Sequence, residues 1–114
     1  MVNSPTVSLV INAAPTEVTF YATPTMSASD FLSVPIDNNT TGTLSISVSA
    51  TVTVTSTGAT HSSGTGGYQL PPGKIGDLYI DFQAWAGAGA FTGTCTVFDS
   101  SGNVIVSTAI SGTL

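Results

Sequence analysis

The sequence predicts an all-β fold: a single antiparallel β-sandwich, jelly-roll-like, of about eight strands. Three observations predict it. Residues 43–55 read T-L-S-I-S-V-S-A-T-V-T-V-T, thirteen positions of unbroken apolar and hydroxyl alternation, the period-two signature of a strand with two unlike faces. The same alternation recurs in shorter runs separated by Gly, Pro, Asn and Asp, as in sandwiches and jelly rolls. No window carries helical periodicity, and the abundant Thr, Val and Gly oppose helix.

Taken in order, residues 1–5 form a polar arm, a candidate contact between subunits. Strands are expected at 6–12, 17–23 and 31–36. Pro15, Pro24 and Pro35 punctuate this third and favour edge or bent strands, because proline donates no ladder hydrogen bond. A turn over Asp37, Asn38, Asn39, Thr40, Thr41 and Gly42 leads into the long run 43–55. At about 3.3 Å per residue that run extends roughly 43 Å, so it either bends to serve two sheets or reaches toward a neighbour. Leu44, Ile46, Val48, Ala50, Val52 and Val54 face a core, and Ser45, Ser47, Ser49, Thr51, Thr53 and Thr55 present hydroxyls on the other side. Residues 56–67, S-T-G-A-T-H-S-S-G-T-G-G, read as a flexible Gly/Ser loop.

A short strand at 67–70 precedes the rigid corner Pro71-Pro72-Gly73. Strands at 76–85, 91–98 and 103–110 complete the set. Between the last two, Asp99-Ser100-Ser101-Gly102-Asn103 is a hairpin signal, with Asp at the turn start and Gly102 free to take positive φ. Residues 86–90, A-G-A-G-A, are small enough to permit close backbone approach.

A chain of 114 residues suits one domain, 1–114, that buries a core without disulfide help. Hydrophobic residues make up 41% but charged residues only 6%, against about 25% in typical soluble domains, so Ser, Thr, Asn and Gly must cover the surface. One basic residue, Lys74, against six acids gives a formal charge of −5, which excludes nucleic acid and an anionic membrane surface as partners. No transmembrane run and no signal peptide are visible. The single cysteine, Cys95, lies in a strand pattern and reads as a buried small hydrophobe.

Catalysis fits poorly. The one histidine, His61, falls in the Gly/Ser loop, where a general base lacks rigid support, and no nucleophile elbow accompanies the many serines. One His and one Cys cannot fill a zinc site. Asp37, Asn38 and Asn39 offer oxygens to calcium, but without EF-hand spacing they read as an Asx-type turn. No metal and no cofactor is expected. Asn38 and Asn39 also begin overlapping glycosylation sequons, which matter only in an exported chain.

The most informative constellation lies on strand 76–85. Period two places Leu78, Ile80, Phe82 and Ala84 on one face and Asp77, Tyr79, Asp81, Gln83 and Trp85 on the other. Rings beside carboxylates and an amide suit carbohydrate recognition or a protein interface. A cover for a sheet buried between layers accounts for the same pattern.

The segment Y-Q-L-P-P-G-K-I-G-D-L-Y-I-D-F-Q-A-W-A-G-A-G, residues 68–89, resembles phage tail-fibre and other virion β domains, in which a Y-x-L-P-x-G corner leads into an alternating strand. It is also similar to β-sandwich carbohydrate-binding modules, whose corners are followed by a hairpin like that at residues 97–104. The resemblance assigns no functional residue. Two expectations follow. The first is a non-enzymatic structural protein, a virion or extracellular filament component, that assembles with copies of itself or other structural proteins. The second is a lectin-like module using Tyr79, Asp81, Gln83 and Trp85.

Overall fold

The computed structural model of the chain describes residues 18–114. The arm at 1–5 and the strand expected at 6–12 lie outside the described residues. Among the described residues there are eight strands: β1 (Val18–Phe20), β2 (Thr25–Met26), β3 (Phe31–Asn38), β4 (Leu44–Val54), β5 (Thr60–Leu70), β6 (Ile75–Asp81), β7 (Ala90–Phe98) and β8 (Val104–Thr113). They form two antiparallel sheets packed face to face, the all-β sandwich that the alternation predicts. In one sheet β3 is central, with β6 on one side and β1 then β2 on the other. The second sheet has the order β5-β4-β7-β8. Its two local hairpins, β4–β5 and β7–β8, are joined side by side through the β4–β7 pairing.

The core comes from the apolar half of each alternation. Leu32, Val34 and Ile36 of β3 and Leu78 and Ile80 of β6 meet Ile46, Val48, Ala50 and Val52 of β4, with Phe91, Cys95 and Val97 of β7. Burying each large apolar side chain contributes about 1.5–3 kcal/mol. Burial holds the Cys95 thiol protonated, its pKa pushed up to about 11.

Three local expectations are corrected. The long strand does not bend to serve two sheets: β4 stays within one, flanked over most of its length by β5 and β7. Residues 56–67 are not a loop, since β5 begins at Thr60 and pairs from Thr53↔Thr60 onward. Lack of apolar content concealed this strand because β5 is an edge. Its core-side positions His61, Ser63 and Thr65 reach past the main apolar cluster, and a β-bulge opposite Ile46 and Val48 accommodates Gly67 at φ 69°.

The third correction concerns Pro35, which sits in the central strand β3 rather than at an edge. In an antiparallel ladder a residue's N–H and C=O point to the same side. The Pro35 carbonyl accepts from Tyr21 N at 3.3 Å, so its missing N–H also faces the gap where the chain leaves the ladder between β1 and β2.

One buried polar residue joins the sheets. Asn38 is fully buried; its Nδ2 donates to Gly42 O and Leu70 O at 3.0 and 2.9 Å, and its Oδ1 accepts from Thr40 N and Oγ1 at 2.9 and 2.6 Å. Its backbone bonds Lys74 and Gly73. The end of β3, the 39–43 turn and the proline corner are thereby fastened together. The turn is Asx-type, as the sequence predicts.

Candidate functional site

The two outer faces of the sandwich carry the candidate residues. On the outer side of β5-β4-β7-β8, register aligns hydroxyls in rows across the strands. Thr53 lies between Thr60 and Thr92, with Ser111 next; Thr51 between Ser62 and Thr94, with Ala109 next; Ser49 between Gly64 and Thr96, with Ser107 next. Strand spacing and rise set these rows about 4.8 Å apart across the sheet and about 6.7 Å along it. Thr51 Oγ1 and Ser62 Oγ share a hydrogen bond of 2.8 Å, Thr53 and Thr60 one of 3.4 Å, and Thr55 Oγ1 donates to Ala90 O at 3.2 Å. Ser45, Ser47 and Ser49 are half-buried and Thr51, Thr53 and Thr55 exposed. No strand of this sheet contains a charged residue.

The opposite outer face, on β3 and β6, is aromatic and acidic. Tyr79 pairs across from Ser33, Asp81 from Phe31, Asp77 from Pro35 and Ile75 from Asp37. Tyr79 is 59% exposed. Between it and Phe31 lies a shallow depression lined also by Ser27, Ser29 and Ser33. Tyr21 joins this face from the β1–β2 connection, donating its hydroxyl to Asp77 Oδ1 at 3.1 Å. Partial burial, then the Asp77 carboxylate, raises the Tyr21 phenol above its ordinary pKa.

The expected quartet Tyr79, Asp81, Gln83 and Trp85 divides. Tyr79 and Asp81 lie on the outer face. The strand then stops, and Gln83–Trp85 forms a single 3-10 turn. Asp81 causes the stop, because its Oδ1 accepts from Gln83 N at 2.8 Å, while Gln83 Nε2 is drawn to Ser29 O at 3.3 Å. In a 3-10 turn residues i and i+3 eclipse, so Trp85 follows buried Phe82 inward, ring centroids 5.6 Å apart. Trp85 ends half-buried and stacked on His61 at 4.7 Å and 19°. His61 is therefore a packed strand residue, not the solvated loop residue expected. Tyr21 and Phe31 were missed, because cross-strand register decides their company and single-strand periodicity does not encode it.

Among the described residues no group of three or more His, Cys, Asp or Glu stands close enough to hold a metal ion, and no helix is long and apolar enough to cross a membrane. The Asn38 amide is committed to Gly42 and Leu70, whereas Asn39 is exposed. No protein-family model matches the chain, and no curated protein matches it in sequence.

Proposed function

We propose that this protein is a non-enzymatic structural subunit that assembles with copies of itself, as a decoration, fibre or capsid-associated component of a virion or as a subunit of an extracellular filament. The observation that carries this reading is the outer face of β5-β4-β7-β8, with hydroxyls in register on four strands and no charge. Such a face leaves water without desolvating an ion, and each hydroxyl both donates and accepts, so two copies can satisfy one another. With a single Lys and no Arg in the chain, ion pairing contributes little.

The test is Thr51→Lys, an exposed position at the middle of the face. Wild-type protein should form discrete oligomers or filaments in mass photometry and negative stain, and Thr51→Lys should be a folded monomer with an unchanged circular dichroism spectrum. Normal assembly with lysine at this position removes the hydroxyl face from the proposal.

A second reading, carbohydrate binding, is favoured by the exposed Tyr79 ring beside Phe31 and the Asp77 and Asp81 carboxylates. A ring face stacks on a sugar's apolar side while acids take its hydroxyls. Glycan-array binding that Tyr79→Ala abolishes without altering oligomeric state would select this reading over the first.

A further inference from the structure

We propose that the Tyr79 face binds a linear amino-sugar polymer, a glycan with one free amine on each ring, in two subsites on either side of the Tyr79 ring. The proposal rests on the carbohydrate reading and names the class of glycan and how it lies.

Tyr79 is the shared wall of two depressions. One, of about 310 Å³, lies at the seam of β5 and β6 and is lined by Gly66, Gly67, Tyr68, Asp77 and Tyr79. The other, of about 540 Å³, is the depression over β3 that Tyr79 forms with Phe31. Both have the size of small-ligand sites, about 300–1,000 Å³.

Each depression sets a second ring against Tyr79. Tyr68 reaches across from β5, and its ring fills the space that Gly76 leaves, since a Cβ there would stand 2.8 Å from its Cε2 and from its hydroxyl oxygen. The backbone of β6 thus fixes Tyr68 in place. Tyr68 is 36% and Tyr79 59% exposed, and Phe31 is half-buried. The rings follow one another from β5 across β6 to β3.

Each depression also has one carboxylate. Asp77 lines the first, and Asp81, directly across from Phe31, flanks the second. Both lie on the outer face of β6, four residues and about 13 Å apart. Asp77 Oδ1 accepts from the Tyr21 hydroxyl at 3.1 Å and Asp81 Oδ1 from Gln83 N at 2.8 Å. Among the described residues neither second carboxylate oxygen takes a hydrogen bond, so each can accept one from a ligand.

A ring pair and an acid, present twice, match a ligand whose unit carries an apolar face and a positive charge, present repeatedly. An amino-sugar polymer has that form: each pyranose lays its C–H face on a tyrosine or phenylalanine ring, and its ammonium makes a charge-assisted hydrogen bond to the carboxylate. Charge selects among glycans. Anionic ones are repelled by the two aspartates and by the formal charge of −5, and neutral ones leave both acids without a counter-charge. Copies covering the hydroxyl face leave this opposite face open, so assembly multiplies the sites along one polymer.

The experiment titrates full-length protein by calorimetry at physiological salt and about pH 6, where carboxylates are ionised. The ligands are β-linked hexamers of glucosamine, N-acetylglucosamine and glucose, the glucosamine monosaccharide, and hexalysine. The glucosamine hexamer is expected to bind about tenfold tighter than each of the others, two exposed charge pairs contributing up to about fivefold each. Asp77→Asn with Asp81→Asn keeps the acceptors for Tyr21 and Gln83, so the double variant should retain its circular dichroism spectrum and bind glucosamine no better than N-acetylglucosamine. Tyr79→Ala should abolish binding of all three sugars. Equal binding of the three hexamers overturns the amine preference and leaves the carbohydrate reading standing. No binding of any sugar overturns both. Hexalysine bound as tightly as the glucosamine hexamer, or glucosamine binding that survives Tyr79→Ala, overturns the sugar as occupant and reduces the site to its charge. A hexamer no tighter than the monosaccharide overturns the paired subsites.

Discussion

The two sheets share one core yet differ in everything that faces outward. β5-β4-β7-β8 consists of strands of nine to eleven residues, uncharged throughout, with rows of Ser and Thr outside. The sheet centred on β3 has neighbours of two, three and seven residues, a proline in its middle strand, and tyrosines and aspartates outside. Period two dictates only that alternate residues be apolar; the other half of each strand is free to take a separate role. One outer half here is a uniform hydroxyl surface, and the other is a chemically varied one of tyrosines and aspartates.

The comparison is broken most severely through backbone tolerance. A Cβ at Gly93 in β7 would collide with Thr51 O and lie 2.9 Å from Val52 Cα, inside a continuous ladder that cannot open locally. Gly93→Ala is expected to destabilise by about 3 kcal/mol, read as a fall in the urea midpoint at constant m. Pro35→Ala, in the interrupted ladder, restores an N–H facing the gap beside Tyr21 and should change stability by no more than about 1 kcal/mol. Equal costs at the two sites would mean that the sheets are equally rigid.

At the joint between the sheets the expected effect is similar or slightly smaller. Asn38→Ala leaves Leu70 O without the amide donor at a buried site and Thr40 N without its acceptor at a half-buried one, a loss of about 2–3 kcal/mol. Asn38→Asp turns an oxygen toward two carbonyls at neutral pH, so it should be the worse variant there and recover in acid. Thermal melts of the three proteins at pH 7 and pH 4 test this ordering.

How much of this was legible in the sequence follows the same division. β4, β7 and β8 announced themselves because one face of each is buried, and the Asp99 hairpin and the Asx turn at Asn38 followed from turn chemistry. β5 did not, because an edge strand whose core-side positions are His61, Ser63 and Thr65 lacks the apolar half of the pattern. The quartet ending in Trp85 failed at one residue, Asp81. Its carboxylate can cap a 3-10 turn as readily as it can point outward from a strand. Tyr21 and Phe31 joined Tyr79 only through register, and register is a relation between strands.

The smallest predicted effect uses pH to separate the sheets. Asp99 lies in the β7–β8 hairpin of the hydroxyl sheet. Its Oδ1 accepts from Asn103 N and Ser101 N at 2.9 Å each, and the Asn103 N–H, then that of Ser101, holds its pKa below the ordinary carboxylate value against a smaller opposing desolvation. A folded-state pKa lowered in this way contributes stability that is complete above the unfolded value, about 3.9, and is lost as pH falls through the lower folded value. Asp99→Asn keeps an acceptor oxygen but cannot titrate. Wild type and Asp99→Asn should therefore differ by a constant amount above pH 5, and the wild-type advantage should shrink below pH 4. Hydrogen exchange of Ser101 and Asn103 localises the change to the hairpin. If the difference between the two proteins stayed constant down to pH 2, the Asp99 turn would not be the acid-sensitive point of this sheet.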